Sequence, residues 1–128
     1  MSHMMCLCGE VIVTGLIPNP QGFRMISDLL SEPILEKLVQ QHQVSNTVAD
    51  LNKNITGILS HTPGVLQVYE CKHCGRLAVF ARSSDITPLF WFQLEKVTFP
   101  DKAQSLADAT DKLQNGEFPV NWQKDLYK

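Results

Sequence analysis

Tyr69-Glu70-Cys71-Lys72-His73-Cys74-Gly75-Arg76-Leu77 is the stretch on which the reading of this chain turns. An apolar run, residues 65–70, enters a Cys-x-x-Cys-Gly turn, and another, residues 77–82, leaves it. The pattern predicts two strands joined by a hook that presents two thiols. The other two cysteines form a second hook, Cys6-Leu7-Cys8-Gly9, directly before residues 10–14, where Val11, Ile12 and Val13 read as a strand. Two Gly-closed pairs are how a chain offers four thiolates tetrahedrally to one ion. The glycine lets the backbone turn sharply and aim N–H groups at the sulfurs, offsetting their charge. Read this way, Cys6, Cys8, Cys71 and Cys74 are metal ligands, and one structural zinc ion per chain is the expected cofactor. The first hook is one residue shorter than the second and must follow a tighter path.

Three other chemistries use the same residues. Iron in a tetrathiolate site has nearly the same geometry as zinc. A Cys71–Cys74 redox pair is opposed by the lack of a helix pattern starting at Cys71, since thiolate activation commonly uses a helix N-terminus. Structural disulfides are disfavoured without a secretory signal, and none is recognisable here. That absence sets the expected compartment as cytoplasmic.

Residues 9–70 separate the hooks, far more than a minimal ribbon needs, and most of the span reads as helix. Ser31 is placed as an N-cap with Glu32 and Pro33 in the first turn; Ile34, Leu35, Leu38, Val39 and His42 follow on one face. After a break at Gln43-Val44, Ser45 or Thr47 caps a second helix, whose stripe of Val48, Leu51, Ile55, Ile58 and Leu59 ends at Pro63-Gly64. So short a link predicts an antiparallel helical hairpin over residues 31–61. Ahead of it, residues 18–22 are turn-rich and residues 23–26 suggest a returning strand. Beyond the second hook, residues 89–97 read as a strand with Phe90 and Phe92 on one face and Trp91 on the other. One of those faces must be core, and the other is either covered or a partner surface. Asp101, with Gln104 three residues on, has the form of a capping box for a last helix buried through Ala103, Leu106, Ala107 and Leu113. The tail, residues 118–128, carries Phe118, Val120, Trp122 and Leu126 and is expected to dock on the body.

At 128 residues with 44% hydrophobic and 19% charged content, the chain suits one globular domain. Met1-Ser2-His3 reads as a cloning remnant, leaving residues 4–128 as a single zinc-binding domain. No apolar run reaches the roughly 18–20 residues of a membrane span. A formal net charge of −2 is a poor match for a phosphate backbone. No Ser–His–Asp set, phosphate loop or dinucleotide fingerprint occurs, and Glu36, Asp50 and Asp101 read as solvated faces and caps. His42 and His61 fall at helix ends, where they interact with the dipole. Asn54-Ile55-Thr56 matches a glycosylation sequon but lies mid-helix. Lys72, His73, Arg76 and Arg82 make the second hook locally basic, either as charge compensation for the thiolates or as a binding patch.

The N-terminal Cys-x-Cys-Gly and the later Cys-Lys-His-Cys-Gly-Arg-Leu together resemble small bacterial zinc-ribbon proteins of uncharacterised role. The resemblance covers the two hooks and their flanking strands, about a quarter of the chain, and implies only the four ligand positions. The expected architecture is α+β: a zinc-ribbon-like antiparallel sheet with an inserted helical hairpin and a C-terminal helix. The expected role is non-enzymatic, an adaptor or regulatory module that binds another protein; an immunity-type inhibitor of a bacterial toxin is one concrete form. A nucleic-acid-binding ribbon using Lys72, Arg76 and Arg82 is the alternative, and a thiol redox protein is the third.

Overall fold

A computed structural model of the chain describes residues 2–82 and 84–117. The fold is α+β, with two antiparallel sheets and three helices. The order along the chain is β1 (His3–Met5), β2 (Val11–Val13), β3 (Gly22–Met25), α1 (Asp28–Val44), α2 (Val48–His61), β4 (Leu66–Glu70), β5 (Leu77–Phe80), β6 (Phe90–Phe92) and α3 (Leu106–Gln114). The described residues divide into two compact units: residues 2–21, 70–76 and 93–117 form the first, and residues 22–69 with 77–82 and 84–92 the second.

In the first unit β1 and β2 pair antiparallel, with His3 opposite Val13, Met4 opposite Ile12 and Met5 opposite Val11. The Cys6–Gly9 hook is therefore the turn of a β-hairpin. Strand β1 takes in His3 and lies where the sequence suggests no element. Its signal was the pair Met4-Met5 flanking the hook as Val11 and Ile12 do on the other side. The buried apolar residues of this unit are Cys6, Ile12 and Cys71, among the described residues. Two of those three are cysteines.

The second unit holds a sheet in the order β3-β4-β5-β6 and the two long helices. Strand β3 pairs antiparallel with β4, Phe23 opposite Val68, and β5 with β6, Ala78 opposite Trp91. Its core is Ile34, Val65, Val68, Tyr69, Ala78, Val79 and Phe80, with the Tyr69 and Phe80 rings edge to face at 5.8 Å. On β6, Phe90 and Phe92 share a face, as period-two alternation requires, and both remain more than half exposed. The strand is shorter than the expected residues 89–97.

The helical hairpin lies where the sequence places it, between the hooks, with three differences. First, α1 begins at Asp28 after Ser27, a turn earlier than the expected cap Ser31, so Pro33 stands inside the helix. Proline's φ suits a helix, so the cost is the bond its missing N–H would have made to the Leu29 carbonyl and the crowding of its ring against that carbonyl. Second, the apolar stripe of α1 is wider than its buried face. Ile34 is buried, while Leu35 and Val39 are 60% and 57% exposed. Third, Thr47 rather than Ser45 caps α2, its hydroxyl accepting from the Asp50 N–H at 3.1 Å. The last helix also starts later than expected, at Leu106 instead of just after Asp101. Ser105 is the better cap because its hydroxyl accepts the Asp108 N–H at 3.0 Å, while the Asp108 carboxylate accepts the Gln104 N–H at 2.8 Å. The Gln104 side chain is diverted to the Pro100 carbonyl. The expected docking of residues 118–128 lies outside the described residues. No helix among the described residues is long and apolar enough to cross a membrane.

Candidate metal centre

Each hook is a turn between strands, and the two turns close in the same way. In the first, the Gly9 N–H donates to the Cys6 carbonyl at 2.9 Å and the Cys6 N–H to the Glu10 carbonyl at 2.8 Å. In the second, the Gly75 N–H donates to the Cys71 carbonyl at 2.8 Å and the Cys71 N–H to the Arg76 carbonyl at 2.9 Å. The shorter first hook thus makes the same pair of closing bonds with one residue fewer. Gly9 and Gly75 have φ of +93° and +77°, the left-handed region that β-carbons resist. That twist turns the next N–H back onto the preceding sulfur: Glu10 donates to Cys8, and Arg76 to Cys74.

The four sulfurs meet. Cys6 Sγ lies 3.5 Å from Cys74 Sγ and Cys8 Sγ 3.7 Å from Cys71 Sγ, and all four fall within 4.8 Å of one another. None is in a disulfide. A tetrahedron with metal–sulfur bonds of about 2.3 Å has edges near 3.8 Å, so these separations suit ligands around one ion. The close pairs run between hooks, joining the start of the chain to its middle. A group that could hold a metal ion is therefore present, and it is made of the four cysteines singled out in the sequence.

The four thiols do not ionise alike. Burial pushes the Cys6 thiol up to about 12, against the lowering effect of the Cys8 backbone N–H. Cys8 is lowered by the Glu10 N–H, yet burial and the neighbouring sulfurs of Cys74 and Cys71 leave it raised. For Cys74 burial also acts upward, but the Arg76 backbone N–H, the Arg76 side chain and the sulfurs of Cys6 and Cys8 together lower it to about 6. Four sulfurs this close carry charge together only when a cation sits among them.

Of the basic residues near the second hook, Arg76 donates to the Cys74 sulfur and is half-buried. It compensates thiolate charge. Lys72 and His73 are exposed on the hook itself. Arg82 belongs to the second unit and pairs with Asp85 at 3.2 Å. Sequence reasoning gave no role to Glu70, the residue before Cys71. It is buried, and its carboxylate accepts the N–H groups of Leu106 at 2.7 Å and Ala107 at 3.1 Å. These are orphan donors of the first turn of α3. Glu70 thus fixes that helix to the residue adjoining a candidate ligand. The one available signal was a carboxylate in a strand with no other charged residue.

The family model for a domain of unknown function, DUF8617, matches residues 2–96. The chain belongs to the DUF8617 family. The match takes in both hooks, the helical hairpin and β6, and ends before α3. No curated protein and no solved structure matches the chain. Within the DUF8617 domain, then, the four-cysteine group is the feature with a definite chemistry.

Proposed function

We propose that this chain is a small non-enzymatic zinc protein: Cys6, Cys8, Cys71 and Cys74 hold one structural Zn2+, and the domain acts by binding another protein. The observation that carries the zinc reading is the convergence of all four thiols, from two Gly-closed turns between strands, within 4.8 Å. All four are committed to one point, and a closed tetrahedral sphere leaves no open position for a reacting water. The site is then a staple. Its contribution is folding energy, in a unit whose own buried apolar set is small.

A binding role draws support from the large apolar side chains left in solvent, Phe90 and Phe92 on β6 foremost. Immunity-type inhibition of a toxin remains one form such binding takes. The redox alternative is weakened because the closest sulfur pairs join the two hooks. The nucleic-acid alternative loses Arg82 to its pairing with Asp85. The test is metal content with serine variants. One zinc per chain, lost in Cys8→Ser and in Cys74→Ser, supports the zinc reading; a reversible Cys71–Cys74 disulfide in a zinc-free native protein overturns it. For the binding role, a protein partner recovered with the wild-type chain must bind it at a saturable one-to-one ratio and lose affinity with Phe90→Ser.

A further inference from the structure

The helical hairpin carries a groove that the metal reading does not use. It has a volume of about 650 Å³ and lies along α1 and α2, lined by Lys37 and Gln41 from the first helix and by residues from Lys53 to His61 of the second. It is shallow and wide open to solvent, so a ligand would lie along its surface and not in an enclosed cavity. Its charge is one-sided. None of the residues lining it is acidic, although the whole chain is mildly so. Lys37 and Lys53 make no ion pair or hydrogen bond with any described residue. Ser60, one of the lining residues, accepts a hydrogen bond from Arg24 Nη2 at 3.3 Å. With its oxygen so engaged, the Ser60 hydroxyl keeps its own proton free to donate.

Gly57 supplies an independent observation. It sits inside α2 and lines the groove, and a Cβ there would meet nothing within 4 Å. Glycine is the poorest helix former after proline, and no packing in this fold requires it. What its missing side chain does is bare the α2 backbone at the groove wall, so that a ligand can lie directly against it. We propose that this groove binds a small anionic molecule bearing phosphate or carboxylate groups, held by Lys37 and Lys53 and seated against Gly57. Charge complementarity selects the ligand class: two ammonium groups without a partner among the described residues attract an anion, while hydroxyl and amide groups of Ser60, Thr56 and Gln41 offer it hydrogen bonds.

The test is a titration of the full metal-loaded chain, followed by backbone amide NMR at low ionic strength, with pyrophosphate and citrate as probes. Saturable shifts centred on Thr56, Gly57 and Ser60 are expected with at least one of them. Saturation by pyrophosphate alone assigns a phosphate-bearing ligand, and by citrate alone a polycarboxylate. The double variant Lys37→Gln/Lys53→Gln should weaken binding about tenfold or more, and added salt should weaken it in the wild type. Gly57→Ala should keep the fold and weaken binding several-fold. Shifts that scatter over all surface lysines without saturating, or affinity unchanged in both variants, overturn the proposal. Neither variant touches a cysteine, so failure here leaves the metal reading standing, and zinc loss leaves this one to be judged by the shifts alone.

Discussion

Gly75 shows how much of the centre rests on single residues. Its φ of +77° is one constraint, and the Leu94 side chain is a second, because a Cβ would meet Cδ2 at 3.2 Å and Cβ at 3.4 Å. Gly9 has the φ constraint but open space around it. Gly75→Ala should therefore cost about 1–3 kcal/mol of stability, and Gly9→Ala the lower part of that range, measured as denaturant midpoints of the metal-loaded protein. Glu70→Ala should cost roughly 2–4 kcal/mol, because it strips two N–H groups of α3 of a charged acceptor and leaves a void. Equal stability for that variant would mean the buried carboxylate is not what fixes the helix. At this scale the four candidate ligands were legible because hook chemistry is local: cysteine spacing and a following glycine state it. Glu70 was not, since its partners lie more than thirty residues away and nothing in a strand's own pattern encodes a distant helix end.

The elements differ in how far their own sequences specify them. Helix α2 was readable nearly to its ends, because Thr47 is a good cap and the stripe of Leu51, Ile55 and Ile58 has helical spacing. Thr47→Ala should lower stability by about 1 kcal/mol, with the loss confined to the first turn in amide exchange. The start of α3 was misplaced because two capping patterns compete within five residues, and tertiary contact from Glu70 favours the later one. Asp108 ties that start together. The Gln104 backbone N–H holds its carboxyl below the usual carboxylate range, with desolvation opposing and Lys112 assisting. A depressed folded value means the stabilisation is complete above the unfolded-chain value near 3.9 and is lost as pH falls through the lower folded one. The protection factors of the α3 amides, taken relative to the intrinsic exchange rate at each pH, should accordingly fall as pH drops below about 4, and Asp108→Asn should remove that acid dependence. The exposed Leu35 and Val39 mark another limit of sequence reading. Apolar spacing identifies a helix, but which part of a wide stripe is covered depends on the neighbours available to cover it.

On the scale of the whole molecule, the two units hold different kinds of interior. The second has its own apolar core of Ile34, Val65, Val68, Val79 and Phe80. The first, among the described residues, buries Ile12 and two cysteines as its apolar interior. Metal removal should therefore act unevenly. A chelator should collapse amide protection over residues 3–13 and 70–76 while the α1 and α2 amides keep most of theirs. Uniform loss would indicate that the metal supports the entire fold, and no loss that it supports none. The α+β class and the insertion between hooks were legible because they follow from element order. The division into units was not, because it depends on which segments, distant along the chain, gather together. The most direct test of the metal centre is native mass spectrometry of freshly purified, reduced protein combined with thiol alkylation. One zinc per chain with all four cysteines protected, and both lost together in Cys74→Ser, is the expected result. A metal-free chain whose four thiols alkylate freely would contradict it.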